Sequence, residues 1–189
     1  ARVLDMIEVD LGRAPFVVES VETACTARIG PLSLELRPDR VDRLEDGSLA
    51  VIDYKTGGDA EVTAWLDERP RLPQLPAYVQ ALGPVQVGAV AFARVRSGDT
   101  RYEGVTRDAG TFPGLRVPGS RGGPRGFERW ETLLAEWQRR IEVLATAYAA
   151  GEARLAPDPP RACKYCHLGA LCRIAETRLA SMDEDDGDE

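Results

Sequence analysis

The stretch of residues 16–54 constrains the fold most, because it has the pattern of three consecutive β-strands. Residues 16–29 are rich in β-formers, and Gly30-Pro31 ends this segment with a turn. In residues 32–44, leucines first alternate with polar residues, as in a half-buried strand. A hairpin turn at residues 45–48 leads to the largely apolar segment 49–54. The pattern therefore predicts an antiparallel meander.

The rest of the chain predicts helices around this sheet and two further strands. Residues 127–152 carry apolar side chains at helical spacing and form the strongest helix signal. We also expect helices at 2–10, 60–68 and 73–82, strands at 85–95 and 102–106, and a loop at 107–126. In the helix at 73–82, the two prolines must lie before or within the first turn. The fold class is α/β (α+β), a mixed sheet flanked by helices.

Length and charge indicate one domain with an acidic end. The 189 residues carry a formal net charge of -7, but six acidic residues lie among the last seven. We expect a domain over residues 1–180 and a disordered acidic tail over 181–189. A nearly neutral body argues against tight, non-specific binding of nucleic acid by charge alone. No apolar run is long enough for a membrane helix, and we expect a cytoplasmic protein.

Two aspartates and a lysine form the first candidate site. Asp39 lies on the second strand and Asp53-Tyr54-Lys55 ends the third, so the hairpin can bring both carboxylates to one edge of the sheet. With the Tyr54 backbone carbonyl they would offer oxygen ligands suited to Mg²⁺ or Mn²⁺. The alternative is a surface salt bridge. Against it, Lys55 is one of only two lysines and follows an apolar strand, where an unpaired charge is costly.

Cysteines form the second candidate site, in segment 161–175. Cys163, Cys166 and Cys172 lie within ten residues of one another, a spacing typical of metal ligands rather than disulfides. Zinc, with His167 as a fourth ligand, and an iron–sulfur cluster both remain open. Cys25 stands alone and fits a small buried residue better than a fourth cluster ligand.

Four ordered motifs resemble the PD-(D/E)xK nuclease superfamily, in particular its RecB/AddB-like branch. They are Pro38-Asp39-Arg40-Val41-Asp42, Val51-Ile52-Asp53-Tyr54-Lys55-Thr56-Gly57, Gln74-Leu75-Pro76-Ala77-Tyr78 and the C-x₂-C-x₅-C spacing of Cys163, Cys166 and Cys172. The resemblance implies a restriction-endonuclease-like fold in which Asp39 and Asp53 ligate Mg²⁺ and Lys55 assists the attacking water. It also implies that Gln74 and Tyr78 contact DNA, and that the three cysteines hold a 4Fe-4S cluster. Asp42 is expected to be structural, paired with Arg40 or Arg43.

The resemblance implies a Mg²⁺-dependent deoxyribonuclease, an exonuclease acting in DNA repair or recombination on single-stranded DNA or single-stranded ends. Such domains end longer helicase-like chains of predicted bacterial DNA repair proteins, so a helicase domain or subunit is the expected partner. The branch also has an upstream His or Glu ligand and an upstream fourth cluster cysteine. Here the only histidine is His167, and Glu8 is a weak substitute, so both ligands are expected outside this chain. The alternatives are a catalytically lapsed, DNA- or partner-binding fold and a structural zinc or cluster domain.

Overall fold

A computed structural model describes residues 2–57, 62–65, 67–153, 161–164 and 166–173. It divides into two compact units, Ala1–Ala150 and Gly151–Glu189. Part of the predicted helix at 60–68 and all of the predicted tail at 181–189 lie outside the described residues.

The first unit is built on a five-stranded mixed sheet. Its strands, in the order in which they lie side by side, are β1 (Phe16–Val21), β4 (Arg40–Leu44), β5 (Leu49–Lys55), β6 (Val87–Arg96) and β7 (Asp99–Thr106). Only β5 and β6 pair in parallel, and the other neighbours are antiparallel. The predicted fold class is confirmed, because a mixed sheet with flanking helices is present.

A second, two-stranded sheet arises because the predicted meander is interrupted. β2 (Cys25–Ile29) and β3 (Leu32–Leu36) pair with each other and not with the main sheet. The prediction of continuous strands over 16–29 and 32–44 is therefore wrong. Glu22, just after β1, has a left-handed φ of 50°, which interrupts the first predicted strand. Pro38, just before β4, has no N–H for a ladder bond and interrupts the second.

Helix α2 (Gln74–Leu82) lies between β5 and β6 in the chain and confirms the helix predicted at 73–82. Pro73 precedes it and Pro76 occupies its first turn, where a missing N–H costs no intrahelical bond. Helix α3 (Trp130–Ala149) lies within the segment predicted at 127–152. Helix α1 (Arg2–Leu11) matches the prediction for residues 2–10 to within one residue.

Apolar side chains cover both faces of the main sheet. On the face that we call the helical face, Val51 and Phe92 pack with Trp65, with α2 and with α3. Ring centroids of Trp65 and Phe92 are 4.8 Å apart. On the other face, which we call the reverse face, Ile52 and Ala91 pack with Met6 of α1 and with Phe112. A smaller core joins the two-stranded sheet to α2 and α3.

The second unit, as far as it is described, contains the short helices α4 (Arg161–Lys164) and α5 (Gly169–Cys172). Within the described part of the whole chain, no helix combines the length and the apolar character needed to cross a membrane.

Candidate active site

The strand register brings Asp39 and Asp53 together at one end of the sheet. The antiparallel ladder of β4 and β5 ends with the pair Arg40–Ile52, and one step further along this register Asp39 stands opposite Asp53. Residues opposite each other share a face, and Val41 and Val51 place this one on the helical side. The Asp39 carboxylate accepts a 2.8 Å hydrogen bond from the backbone N–H of Tyr54. The predicted meeting of the two carboxylates at one edge is thus present.

Asp53 is a buried carboxylate with one cationic neighbour. Its side chain is only 2% exposed, and Lys55 Nζ lies 2.6 Å from its Oδ2. Burial raises the pKa of Asp53, and the negative charge of Asp39 adds to that rise, while the Lys55 ammonium group opposes it. Oδ2 is enclosed and makes this ion pair without a well-aligned hydrogen bond.

Lys55 joins the strand end to helix α2. Its ammonium group is 3.5 Å from Gln74 Oε1 and 5.4 Å from the ring centroid of Phe92. About a quarter of its side chain (26%) is exposed, so solvent can reach the site. The ammonium group therefore lies at the boundary between the buried Asp53 and water.

Gln74 and Tyr78 extend the site along α2, where they lie one turn apart on one helical face. Gln74 Nε2 donates to the Tyr78 hydroxyl at 2.7 Å, and that hydroxyl donates to the Arg37 carbonyl at 3.0 Å. Burial raises the pKa of Tyr78, and the charges of Asp53, Asp39 and Cys25 raise it further, although Gln74 acts in the opposite direction. Three contacts thus connect four residues of the predicted site in one chain: Asp53 with Lys55, Lys55 with Gln74, and Gln74 with Tyr78.

This donor set fits a hard divalent cation. The two carboxylates face the same side of the sheet, and one oxygen of Asp53 is buried with only an ammonium ion as a partner. Mg²⁺ is commonly bound by one or two carboxylates and several waters, so two protein carboxylates suffice. Among the described residues, no group of three or more His, Cys, Asp or Glu is arranged for a metal.

Residues 2–173 match the family model of the PD-(D/E)XK nuclease superfamily. The chain belongs to this superfamily. No curated protein is significantly similar to it. Among solved structures, the crystal structure of SSO0001 is similar over 89% of this chain and 66% of that chain, with 17% sequence identity and a TM-score of 0.34. This chain therefore spans slightly less than two thirds of that structure's length.

Members of the PD-(D/E)XK superfamily act as nucleases and commonly use Mg²⁺ or Mn²⁺. The nuclease character expected from the motifs is therefore supported at the level of the superfamily. The match covers both the sheet that carries Asp39, Asp53 and Lys55 and the cysteine segment.

Behind the site, the reverse face carries a buried ion cluster. Arg40 binds Asp42 with Nε and Nη2, at 2.6 and 3.0 Å, and Asp10 with Nη1 at 2.8 Å. Arg13 donates to Asp42 at 2.8 Å and to Asp10 at 2.9 Å. Asp10 also accepts a 2.6 Å hydrogen bond from the Tyr102 hydroxyl. The predicted structural role of Asp42, paired with Arg40, is confirmed.

The structure also answers two questions that the sequence left open, the partner of Arg43 and the position of Glu8. Arg43, the alternative partner of Asp42, instead pairs with Glu19 at 2.7 Å. Glu8 belongs to α1, which packs on the reverse face, so this helix does not bring Glu8 to the carboxylates on the helical face. The sequence did not reveal Asp10 and Arg13 as cluster members, because their partners are at least 29 residues away, except for each other.

The sequence did not predict two arginines that lie beside the site. Arg94 on β6 is paired in register with Lys55, and Arg101 on β7 is paired with Arg94, so the three cations form a row across three strands. Arg94 is held by Glu103 at 3.1 Å, and Arg101 contacts Asp99. The alternation of β6 was the available signal, but its parallel register with β5 is not visible in the sequence.

Two arginines, one within the long loop and one just after it, have local partners. Arg116 donates to the Gly122 carbonyl at 2.9 Å, and Arg129 pairs with Glu131 at 3.4 Å. Arg129 immediately precedes Trp130, whose indole donates to the Val87 carbonyl at the start of β6. Lys55 is paired with the far end of β6, seven residues or roughly 23 Å away. The loop end at Arg129 is therefore remote from the carboxylates.

The cysteines of the second unit can be described only locally. Cys163 and Cys166 are exposed and Cys172 is half-buried. The Cys166 N–H donates to the Cys163 carbonyl at 3.3 Å, and the Leu168 N–H lies 3.4 Å from Cys166 Sγ. Cys25 is half-buried on β2, and burial raises the pKa of its thiol.

Proposed function

We propose that this domain hydrolyses phosphodiester bonds in DNA, using Mg²⁺ or Mn²⁺ bound at Asp39, Asp53 and the Tyr54 carbonyl. The observation that carries the proposal is the meeting of Asp39, Asp53 and Lys55 on one face at the open end of the sheet. Burial raises the pKa of Asp53 even though Lys55 is its partner, so the ionised carboxylate is costly to keep at this position. Stability alone therefore does not explain why Asp53 and Lys55 are paired here. A costly buried carboxylate is typical of a functional site.

The Tyr54 carbonyl is suited to join the two carboxylates. The Tyr54 N–H is directed toward Asp39, and the N–H and C=O of a strand residue point to the same edge. By the β4–β5 register the residue opposite Tyr54 is Pro38, which has no N–H to offer this carbonyl. The backbone thus supports a third oxygen ligand beside Asp39.

The metal ion, when bound, would lower the pKa of a water molecule and neutralise charge on the scissile phosphate. Asp53 would bind in its ionised form, because a neighbouring cation opposes the effect of burial on its pKa. Lys55 Nζ would orient the attacking water or stabilise negative charge that develops on the phosphate. Gln74 and Tyr78 would contact the DNA strand, and the Tyr78 hydroxyl is already fixed by Gln74 and Arg37.

We further propose that the chain belongs to the RecB/AddB-like branch of the superfamily. It would act as an exonuclease at single-stranded ends in DNA repair or recombination. The four motifs support it, and solvent can reach the site because the side chain of Lys55, at the end of β5, is partly exposed. We further propose a helicase domain or subunit as partner and a cytoplasmic location. These features rest on the motif resemblance.

We also propose that Cys163, Cys166 and Cys172 bind a 4Fe-4S cluster, with a fourth ligand from outside this chain. The C-x₂-C-x₅-C spacing and the N–H group directed at Cys166 Sγ support it, since such hydrogen bonds are common at cluster sulfurs. Anaerobic purification followed by iron, sulfide and zinc analysis tests it. About four iron atoms per chain are expected, and a zinc-only preparation would overturn it.

Cleavage of linear and circular single-stranded DNA tests the nuclease proposal. The wild type should degrade the linear strand with Mg²⁺ or Mn²⁺ and spare the circle, whereas Asp53→Asn should be inactive. Asp46→Asn is the matched control, because Asp46 lies in the turn at the opposite end of β5 and contacts Ser48 and Arg107. Cleavage that persists in Asp53→Asn would refute the site. Cleavage of the circle would refute only the exonuclease mode.

A further inference from the structure

We propose that a hydrogen bond on the reverse face, from Arg40 to Tyr54, positions the two carboxylates that bind metal on the helical face. Arg40 Nη1 donates to the Tyr54 hydroxyl at 3.1 Å. Each of these residues directly follows a carboxylate in the chain, Arg40 after Asp39 and Tyr54 after Asp53. The inference rests on the proposed function, because it assigns a positioning role to residues that touch neither metal nor DNA with their side chains.

The backbone ladder does not hold the two carboxylates in place by itself. Pairing of β4 with β5 ends at Arg40–Ile52, one step before the level of Asp39 and Asp53. Pro38 has no N–H, so the ladder cannot continue with its usual bonds beyond that level. On its other side β5 stays paired with β6 as far as Lys55. The carboxylate of Asp39 therefore needs a different connection to β5.

Two hydrogen bonds at Tyr54 supply that connection, one on each face. On the helical side, the Tyr54 N–H donates directly to Asp39 Oδ2 at 2.8 Å. Successive strand side chains point to opposite faces, so the Tyr54 ring lies on the reverse side, where its hydroxyl accepts from Arg40. Tyr54 thereby joins the end of β5 to the start of β4 at the level of both carboxylates.

Arg40 is itself held firmly enough to act as an anchor. It is 8% exposed and makes two hydrogen bonds to Asp42 and one to Asp10. Asp42 is fully buried and is also bound by Arg13. A guanidinium group held by three hydrogen bonds to carboxylates has little freedom to move, so Arg40 can fix the position of the Tyr54 hydroxyl.

Tyr54→Phe isolates this contact, because it removes the hydroxyl and keeps the ring. Groups that orient metal ligands from outside typically change metal affinity by 10- to 100-fold when they are removed. We expect Mn²⁺ binding to Tyr54→Phe to weaken about tenfold. The thermal unfolding midpoint should fall no more than that of the control below, since the lost hydrogen bond lies at a partly exposed position.

Tyr102→Phe is the matched control. Tyr102 belongs to the same buried cluster, and its hydroxyl donates to Asp10 at 2.6 Å, but it lies on β7, two strands away from β5. This variant should lose stability and keep the wild-type affinity for Mn²⁺. The experiment uses the full 189-residue chain, with Mn²⁺ binding followed by electron paramagnetic resonance and unfolding by circular dichroism.

Three results would overturn the inference. Wild-type affinity in Tyr54→Phe would show that the reverse-face contact does not position the carboxylates. Equal losses of affinity in Tyr54→Phe and Tyr102→Phe would assign the effect to general loosening of the cluster. A wild-type protein that neither binds Mn²⁺ at a site sensitive to Asp53→Asn nor cleaves DNA would overturn the proposed function, and this inference with it. The first two results leave the nuclease proposal intact.

Discussion

Asp39 and Asp42 lie three residues apart, and neutralising each of them should affect a different property of the protein. Asp39 is half-buried on the helical face and accepts one hydrogen bond, from the Tyr54 N–H. Asp42 is fully buried on the reverse face and accepts three, from Arg13 and Arg40. We therefore expect Asp42→Asn to reduce stability and Asp39→Asn to remove metal binding.

The size of the stability effect follows from the charge balance of the buried cluster. Arg13 and Arg40 are neutralised by Asp10 and Asp42, so Asp42→Asn leaves one buried positive charge without a counter-ion. Breaking a buried ion pair from one side costs about 3–5 kcal/mol. An asparagine at position 39 can still accept from the Tyr54 N–H, so Asp39→Asn should cost less than about 1 kcal/mol.

Urea unfolding of the chain, followed by the fluorescence of Trp65, Trp130 and Trp137, measures both variants; all three indoles are buried. With a urea dependence of about 2 kcal/mol per molar, the midpoint of Asp42→Asn should fall by about 1.5–2.5 M. Addition of Mn²⁺ should raise the midpoints of the wild type and Asp42→Asn, but not that of Asp39→Asn. This reasoning would be refuted if the midpoint of Asp42→Asn decreased by less than about 0.5 M, or if Mn²⁺ raised the midpoint of Asp39→Asn.

Three further predictions follow from individual contacts. Gly104→Ala should cost about 3 kcal/mol in urea unfolding, because the added Cβ would lie 2.1 Å from the Val90 carbonyl oxygen; Gly12→Ala, with 3.5 Å to its nearest neighbour, should cost less than half as much. Tyr78→Phe should lower kcat/KM for DNA about tenfold without changing Mn²⁺ affinity, because the hydroxyl that joins Gln74 to the Arg37 carbonyl is lost; an unchanged kcat/KM would remove Tyr78 from the DNA-binding site. In the metal-free protein, burial raises the pKa of Asp53, so its protonated form stabilises the fold below the pKa of the unfolded chain and this contribution is lost as the pH rises through the raised value. The unfolding free energy of the wild type should therefore fall relative to Asp53→Asn from about pH 4 upward, and a constant difference would contradict the raised pKa.

The parts of the site that sequence could predict are those set by local spacing. The turn at Asp46-Gly47 determines how β5 returns along β4, so the meeting of Asp39 with Asp53 follows from this hairpin. Gln74 and Tyr78 share a face because they are four residues apart on one helix. Each of these relations depends on fewer than twenty residues of chain.

The remaining features depend on packing between distant segments. Arg94 lies beside Lys55 only because β5 and β6 pair in a parallel register, which the crossover through α2 sets. Arg13 reaches Asp42 because α1 packs on the reverse face, and no periodicity within residues 2–10 specifies which face. The hairpin break at Pro38 was signalled by the proline itself, since it stood inside a segment interpreted as one strand.

The single-turnover cleavage rate of Lys55→Met at saturating Mn²⁺ tests the central claim most directly. Lys55 is the charged group of the site that is not proposed as a metal ligand, so its loss separates chemistry from metal binding. We predict that Lys55→Met still binds Mn²⁺ and cleaves end-labelled single-stranded DNA at least about 100-fold more slowly than the wild type. A wild-type cleavage rate in Lys55→Met would contradict the assignment of this site as the nuclease centre.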